Sequence, residues 1–425
     1  MHEILFLVII GIIVFDFIFE KYLDYLNTTA MSDVLPVEVR GIYDEEKYKK
    51  QQAYQKENQK FGLISSTFSF ALTLAMFLFF GFAFVDKLAW GFTSSAIFAA
   101  LFFFGLIMFA SDLLSIPFSV YDTFKIEEKY GFNKTTPKTF VFDTIKGWLI
   151  GALIGGGLLA FIIFIYQLTQ NMFWIYAWIL VSAFTIFMAM FYSNLIVPLF
   201  NKQTPLEEGE LRDAIKKFAD KVGFKLDNIF VINGSKRSTK ANAYFTGFGA
   251  KKRIVLYDTL INDMETNELV AVLAHEIGHY KKKHVIQGLL ISLIQTGIVL
   301  FIFSLLINNA NLSRALGVEV PNFHIGLVAF GILYSPVSFV LGIFMNLLSR
   351  KNEYQADAFA AQNFNPESMA SALKKLSVKN LSNLTPHKTY VFFHYSHPTL
   401  LQRLAHLKAS PDPSQRGEKK TVGGS

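Results

Sequence analysis

Long uncharged runs alternate with polar segments along this chain, and the runs set its architecture. Residues 61–85 carry no charge, nor do residues 88–111. Residues 147–201 are uncharged throughout and long enough for two crossings, with the polar stretch 167–171 as the turn between them. Residues 285–313 and 325–349 supply two more. A membrane-spanning helix needs about 20 mostly apolar residues. Residues 4–19 form a shorter run that contains Asp16. Lacking a basic start and a small-residue cleavage site, this run reads as a tilted first span rather than a signal peptide. Seven spans are therefore predicted.

The loops test that number independently. Lys47, Lys49, Lys50 and Lys56 follow the first span and Lys125, Lys129 and Lys134 follow the third, whereas the loops after spans two, four and six hold little beyond Lys87 and Arg314. Basic loops mark the cytoplasmic side. The alternation places the N-terminus outside, the C-terminus inside and both long polar segments in the cytoplasm. In the first of these, residues 202–284, the pattern predicts a helix over 205–221, strands over 228–232, 241–248 and 253–257, a turn at Asn233-Gly234, and a helix that Asp263 caps. The second, residues 350–409, reads as helices, and the tail 410–425, rich in Pro, Gly, Lys and Ser, as disordered.

Composition agrees with a membrane protein. Apolar residues make up 52% of the 425 and Phe occurs 45 times, while charged residues are 17%, against about 25% in soluble globular chains. There is no cysteine, which excludes disulfides, thiolate metal sites and a cysteine nucleophile together. Any metal must be held by His and carboxylate. The net charge of +7 suits loops beside an anionic leaflet, so the lipid bilayer is the expected partner and nucleic acid is not.

The chemistry centres on Ala274-His275-Glu276-Ile277-Gly278-His279. Four residues apart on a helix, His275 and His279 share a face, so both imidazoles can reach one tetrahedral zinc, and Glu276 stands close enough to take a proton from a water beside it. The spacing His-Glu-x-x-His leaves a third ligand to be found. His284 is nearest in sequence, but the metzincin pattern would require glycine and histidine where Lys282 and Val285 stand, so His284 reads as an interfacial residue at the start of span six. Glu353 and Asp357, four apart just past span seven and on the same side as the His pair, are the better candidates. One of them can bind the metal while the other accepts the second N–H of a ligand histidine. His397, in His394-Tyr395-Ser396-His397-Pro398, can supply a donor to a tetrahedral oxyanion, or is an ordinary loop histidine. The apolar strand beginning Asn242-Ala243-Tyr244 is either an edge on which a peptide is laid by main-chain pairing or a hairpin strand without a substrate role.

At these residues the chain resembles the type I CAAX prenyl proteases, the sterile-24 branch of the integral-membrane zinc metallopeptidases. The matching stretches are 128–135, 198–200, 234–238, 242–247, 252–256, the His275–His279 motif, 352–357 and 395–398, and they run in order over most of residues 1–409. The resemblance implies seven transmembrane helices caged around a chamber, with a gluzincin-like zinc metalloprotease domain carrying a small β-sheet. It implies Glu353 as the third ligand of one Zn2+ per chain, Asp357 behind a ligand histidine, His397 near the oxyanion and Arg403 as a supporting residue. The implied activity is cleavage near the C-terminus of CAAX-type proteins, with a prenylated or other membrane-associated peptide or protein as substrate. No endoplasmic-reticulum retrieval signal follows His397, a departure from the family pattern. The expected membrane is the bacterial inner membrane or the endoplasmic reticulum. The chain then divides into residues 1–201 (spans 1–5), 202–284 (protease segment with the motif helix), 285–349 (spans 6–7), 350–409 (the helical remainder of the protease) and the tail 410–425. A quality-control protease without prenyl substrates and a transporter-like protein are the rival readings. The transporter is disfavoured because Asp16, Asp112 and Asp143 are few and lie mostly near span ends.

Overall fold

Seven helices among the described residues are long and apolar enough to cross a membrane: His2–Thr29, Glu45–Leu78, Ala96–Glu127, Pro137–Thr169, Phe173–Phe200, His284–Leu306 and Phe323–Asn363. The computed structural model describes residues 1–32, 34–35, 37, 40–224, 229–247 and 252–409; the expected disordered tail lies outside them. Each helix corresponds to one expected span, with shifted boundaries, of which two have a clear physical reason. The first is a full 28-residue helix, because Asp16 accepts a hydrogen bond from Ser335 Oγ (3.1 Å) on the seventh span and is satisfied within the protein. The third begins at Ala96 rather than at 88, because residues 88–92 belong to a separate short helix, Gly81–Phe92.

Successive spans touch, and the seventh returns to the first, so the helices close a ring. The second and third are joined by Phe61 stacked on Tyr121 and by Phe61 and Phe68 packed at a tilt against Phe118. Only 6–17% of the most apolar window of any span is buried. A solid bundle would bury a broad stripe of every helix, so the ring encloses open space. Its far end is closed by the helix Gly81–Phe92 and by Ile9, Phe77, Phe103, Leu312 and Ile325. Asp86 pins that helix, accepting from Asn322 Nδ2 at 2.9 Å and His324 Nε2 at 2.6 Å. The acids that a transporter would expose to a path are likewise occupied: Asp112 accepts from Trp148 Nε1 (2.9 Å) and Asp143 pairs with Arg237 (2.7 Å).

The opposite end carries a four-stranded sheet and a helical layer. The strands are β1 (Gln203–Pro205), β2 (Ile229–Ile232), β3 (Ala243–Thr246) and β4 (Arg253–Tyr257), in the order β1-β2-β4-β3. β2 runs parallel to β4, and β3 is antiparallel to it, with Ala243 opposite Leu256 and Phe245 opposite Ile254. β3 is thus an edge. β1 occupies the start of the expected 205–221 helix, which begins at Glu210 instead. The first residue of the expected 228–232 strand and the last of the expected 241–248 strand lie outside the described residues. Tyr54, Ile126 and Phe132, from the basic ends of the second and third spans, enter the same core as Ile254, Leu256 and Leu273, fastening the protease part to the membrane part.

Candidate active site

The motif helix, Thr266–Lys281, is the centre of that core. Ten of its 16 residues are buried, so it is packed on several sides and not the one-sided helix that its sequence is compatible with. Full burial of each Leu, Val or Ile stabilises by about 1.5–3 kcal/mol, which makes this helix a rigid base for chemistry. Its N-terminus is capped by Glu265, not by Asp263: the Glu265 and Glu268 side chains reciprocally bond the first-turn N–H groups. Glu268 also takes hydrogen bonds from Ser371 Oγ (2.6 Å) and Lys375 Nζ (2.7 Å). Burial alone would raise its carboxyl; Lys375, Ser371 and the Glu265 N–H outweigh that and hold it below the usual range.

The seventh span supplies the facing element. It continues unbroken for 41 residues, so the division drawn at 349/350 falls inside one helix, and Glu353 rides on a rod anchored in the membrane. The two helices cross at Gly278. A Cβ there would lie 3.1 Å from the Ala356 backbone and 3.1 Å from Phe359 Cβ, so glycine allows this approach without displacing its neighbours. Gly278→Ala is expected to push the helices apart by a few tenths of an ångström at a cost of about 1–3 kcal/mol, the usual range for overpacking. An unchanged melting temperature would show that the crossing has slack.

At the crossing three side chains converge. His275 Nε2 lies 3.1 Å from His279 Nε2 and 3.4 Å from Glu353 Oε2, and His279 Nε2 lies 3.2 Å from Glu353 Oε1. One donor atom from each falls within 4.8 Å of the others. Glu353 Oε2 is buried without a hydrogen-bond partner, a costly state for a carboxylate oxygen unless a cation satisfies it. Two imidazoles and one carboxylate are the donor set of a catalytic zinc site, and the residues fit that ion.

Behind His275 stands Asp357, fully buried, with Oδ1 2.9 Å from His275 Nδ1. Arg403 grips both Asp357 oxygens, at 2.6 and 2.8 Å, and approaches Glu353 at 3.6 Å. Burial disfavours a charge on His275, but Asp357 and Glu353 outweigh it and push the metal-free imidazole up to about 9. Burial likewise opposes the Arg403 charge and the same two carboxylates prevail, raising it further. His397 Nε2 lies 3.3 Å from Glu353 Oε1, and its side chain is 62% exposed. Arg350, donating to the Val391 and Tyr395 carbonyls, and Asn346, donating to Phe393 O at 2.7 Å, fix that segment on the seventh span.

Glu276 is half-buried and opens with the three convergent residues onto a cavity of about 520 Å³. Asn242, Ala243 and Tyr244 line the same cavity. Asn242 O accepts from Tyr257 N (3.1 Å), so by antiparallel alternation the main-chain groups of Ala243 and Phe245 point to the free edge. His284 opens the sixth span, as expected, and its ring turns inward. It is 8% exposed and lies against His279, Nδ1 to Nδ1 3.0 Å, with Nε2 2.9 Å from Gln355 Oε1.

Residues 24–202 match the family described as CAAX prenyl protease N-terminal, five membrane helices, and residues 205–410 match peptidase family M48. The chain belongs to peptidase family M48. It is 35% identical over 429 residues to CAAX prenyl protease 1 of Saccharomyces cerevisiae, covering 94% of each chain. It is 37% identical to the CAAX prenyl protease 1 homolog of Arabidopsis thaliana, over 93% of this chain and 96% of that one. Its fold matches the crystal structure of S. mikatae Ste24p with a TM-score of 0.90 at 35% identity, covering 95% of this chain and 99% of that one. This M48 member is therefore a multi-pass membrane metalloendopeptidase of the CAAX prenyl protease family, acting on protein or peptide substrates.

At the M48 centre the sequence reading missed Gln355 and the contact that His284 makes with His279. Gln355 sits two positions from Glu353, a spacing that places it off the Glu353–Asp357 face of a helix. The signal for His284 was its separation of five from His279, which is close only if the helix breaks between them.

Proposed function

We propose that this M48 peptidase is a zinc endopeptidase that cuts near the C-terminus of CAAX-type, prenylated, membrane-associated proteins. One zinc per chain would be held by His275, His279 and Glu353. The reading is carried by the convergence of those three groups, with the orphaned Glu353 oxygen among them, in a cavity that also receives Glu276 and the edge of β3. When bound, zinc supplies Lewis acidity that makes a water nucleophilic near neutral pH. Glu276 takes the proton of the attacking water and returns it to the leaving amine. His397, exposed and beside Glu353, donates to the oxyanion as it forms. Asp357, clamped by Arg403, orients His275. The peptide lies along β3, bonded to the outward main-chain groups of Phe245 and the carbonyl of Ala243, whose N–H donates to Asn242 Oδ1 (2.8 Å), with Tyr244 beside it. A lipid chain on the substrate has the apolar lining of the ring to occupy. The names of the similar yeast and plant proteins support the CAAX substrate class. Farnesylated and unmodified peptides of one sequence test that choice: cleavage of both at equal kcat/KM would favour the quality-control reading.

Both long polar segments carry the site, and both belong to the basic set of loops, after spans five and seven, so the site faces the cytoplasm. The absence of cysteine makes single-cysteine labelling clean. In sealed vesicles of known orientation, Lys50→Cys and Ala409→Cys are expected to react with a membrane-impermeant thiol reagent from the cytoplasmic face only, and Val320→Cys from the other. Labelling of Lys50→Cys and Ala409→Cys from opposite faces would break the topology.

A further inference from the structure

The motif helix stops at Lys281, and the chain turns into the sixth span through Lys283, whose φ of +60° is left-handed. A lysine in that conformation costs on the order of 1 kcal/mol. The turn folds His284 back against His279, with ring centroids 5.1 Å apart and planes at 75°. Three polar groups then form a line: His279 Nδ1 to His284 Nδ1 at 3.0 Å, and His284 Nε2 to Gln355 Oε1 at 2.9 Å.

Only one placement of protons satisfies that line together with the metal reading. His279 Nε2 faces His275 and Glu353, so it is the nitrogen whose lone pair is kept for the metal. A neutral imidazole with a free Nε2 carries its proton on Nδ1. His284 Nδ1 must then accept that proton's hydrogen bond, which leaves the His284 proton on Nε2, where the amide oxygen of Gln355 accepts it. We propose that His284 and Gln355 are positioning residues that fix the tautomer and the aim of His279. The proposal rests on zinc being held by His275, His279 and Glu353. The two histidines would then be supported differently. His275 has a carboxylate, Asp357, neutralised by Arg403, whereas His279 has a neutral imidazole–amide pair. A second carboxylate behind His279 would add negative charge to a site that already holds Glu353, Asp357 and Glu276 against one arginine.

A residue that merely fills space would be indifferent to its polar edge, and this separates the two roles. The oxygen of Asn can occupy the place of a histidine Nδ1 and accept the same bond, while Leu fills the volume and accepts nothing. Zinc affinity is measured by chelator competition on the full-length detergent-purified protein, and unfolding is followed on zinc-stripped samples. His284→Leu is expected to weaken zinc binding about 10–100-fold, the usual effect of removing a group that orients a ligand. His284→Asn should retain most of the affinity. Gln355→Ala should weaken it less than His284→Leu, and the double variant His284→Leu/Gln355→Ala should be no weaker than His284→Leu alone, because Gln355 acts through His284. The zinc-stripped Leu and Asn variants should unfold alike. Equal zinc affinity in Leu and Asn variants, or additive losses in the double variant, would overturn the proposal. If His284→Leu does not fold, Gln355→Ala decides: unchanged zinc affinity there overturns it. A wild-type protein that binds no zinc refutes the zinc reading itself. A wild-type protein that binds zinc, with His284→Leu binding equally well, refutes only the role of His284.

Discussion

Glu276→Gln is expected to lower peptide turnover by several orders of magnitude while leaving zinc near one per chain. Loss of a general base alone removes about 10²–10⁴-fold. The larger effect follows because the same carboxylate both draws the proton from the attacking water and hands it to the leaving amine. The amide replacing it is nearly isosteric but cannot accept that proton. Metal should stay because Glu276 is not among the three groups that converge: it lines the cavity beside them. Zinc content by elemental analysis and cleavage of a fluorescent peptide, read on one preparation, separate the roles. Loss of zinc along with activity would make Glu276 a ligand.

Glu353→Ala is expected to strip the metal, and Asp357→Asn to weaken it only about 10–100-fold, the usual effect of a group that orients a ligand. The two residues sit one turn apart on one helix, yet Glu353 reaches the Nε2 atoms of both histidines while Asp357 reaches the far nitrogen of His275 alone. Removing Glu353 also leaves Arg403 facing two histidines with one carboxylate fewer, so like charge then opposes the incoming cation. Full zinc occupancy in Glu353→Ala would require another ligand, and His284 would be the first to test. Asp357→Asn losing metal as completely as Glu353→Ala would erase the distinction drawn between them.

The membrane part was legible because a span needs only length and apolar composition, and both are visible residue by residue. Hydropathy could not tell a crossing from the helix Gly81–Phe92, which is equally apolar because it closes the end of the ring. The histidine pair followed from helical spacing, and Glu353 from its position past the last span together with the family resemblance. The Glu265 cap was missed because Asp, Asn, Ser and Thr are the usual signals, whereas here two glutamates cap each other. The contact of His284 with His279 was not legible because rules of three and four residues assume a continuous helix, and the left-handed Lys283 ends it. Gly278 looked like a spacer within the motif. Its reason is the Ala356 backbone 3.1 Å from where a side chain would begin, a contact between segments about 80 residues apart that no local pattern encodes.

Zinc at His275, His279 and Glu353 is proposed to be what makes this M48 member a peptidase on CAAX-type substrates. The most direct measurement follows release of the C-terminal tripeptide from a farnesylated CAAX peptide by mass spectrometry, using purified wild-type protein before chelation, after chelation and after zinc is restored. The account predicts one zinc per chain with tripeptide release, neither after chelation, and both on restoration. Release that persists in protein shown to hold no metal would contradict it.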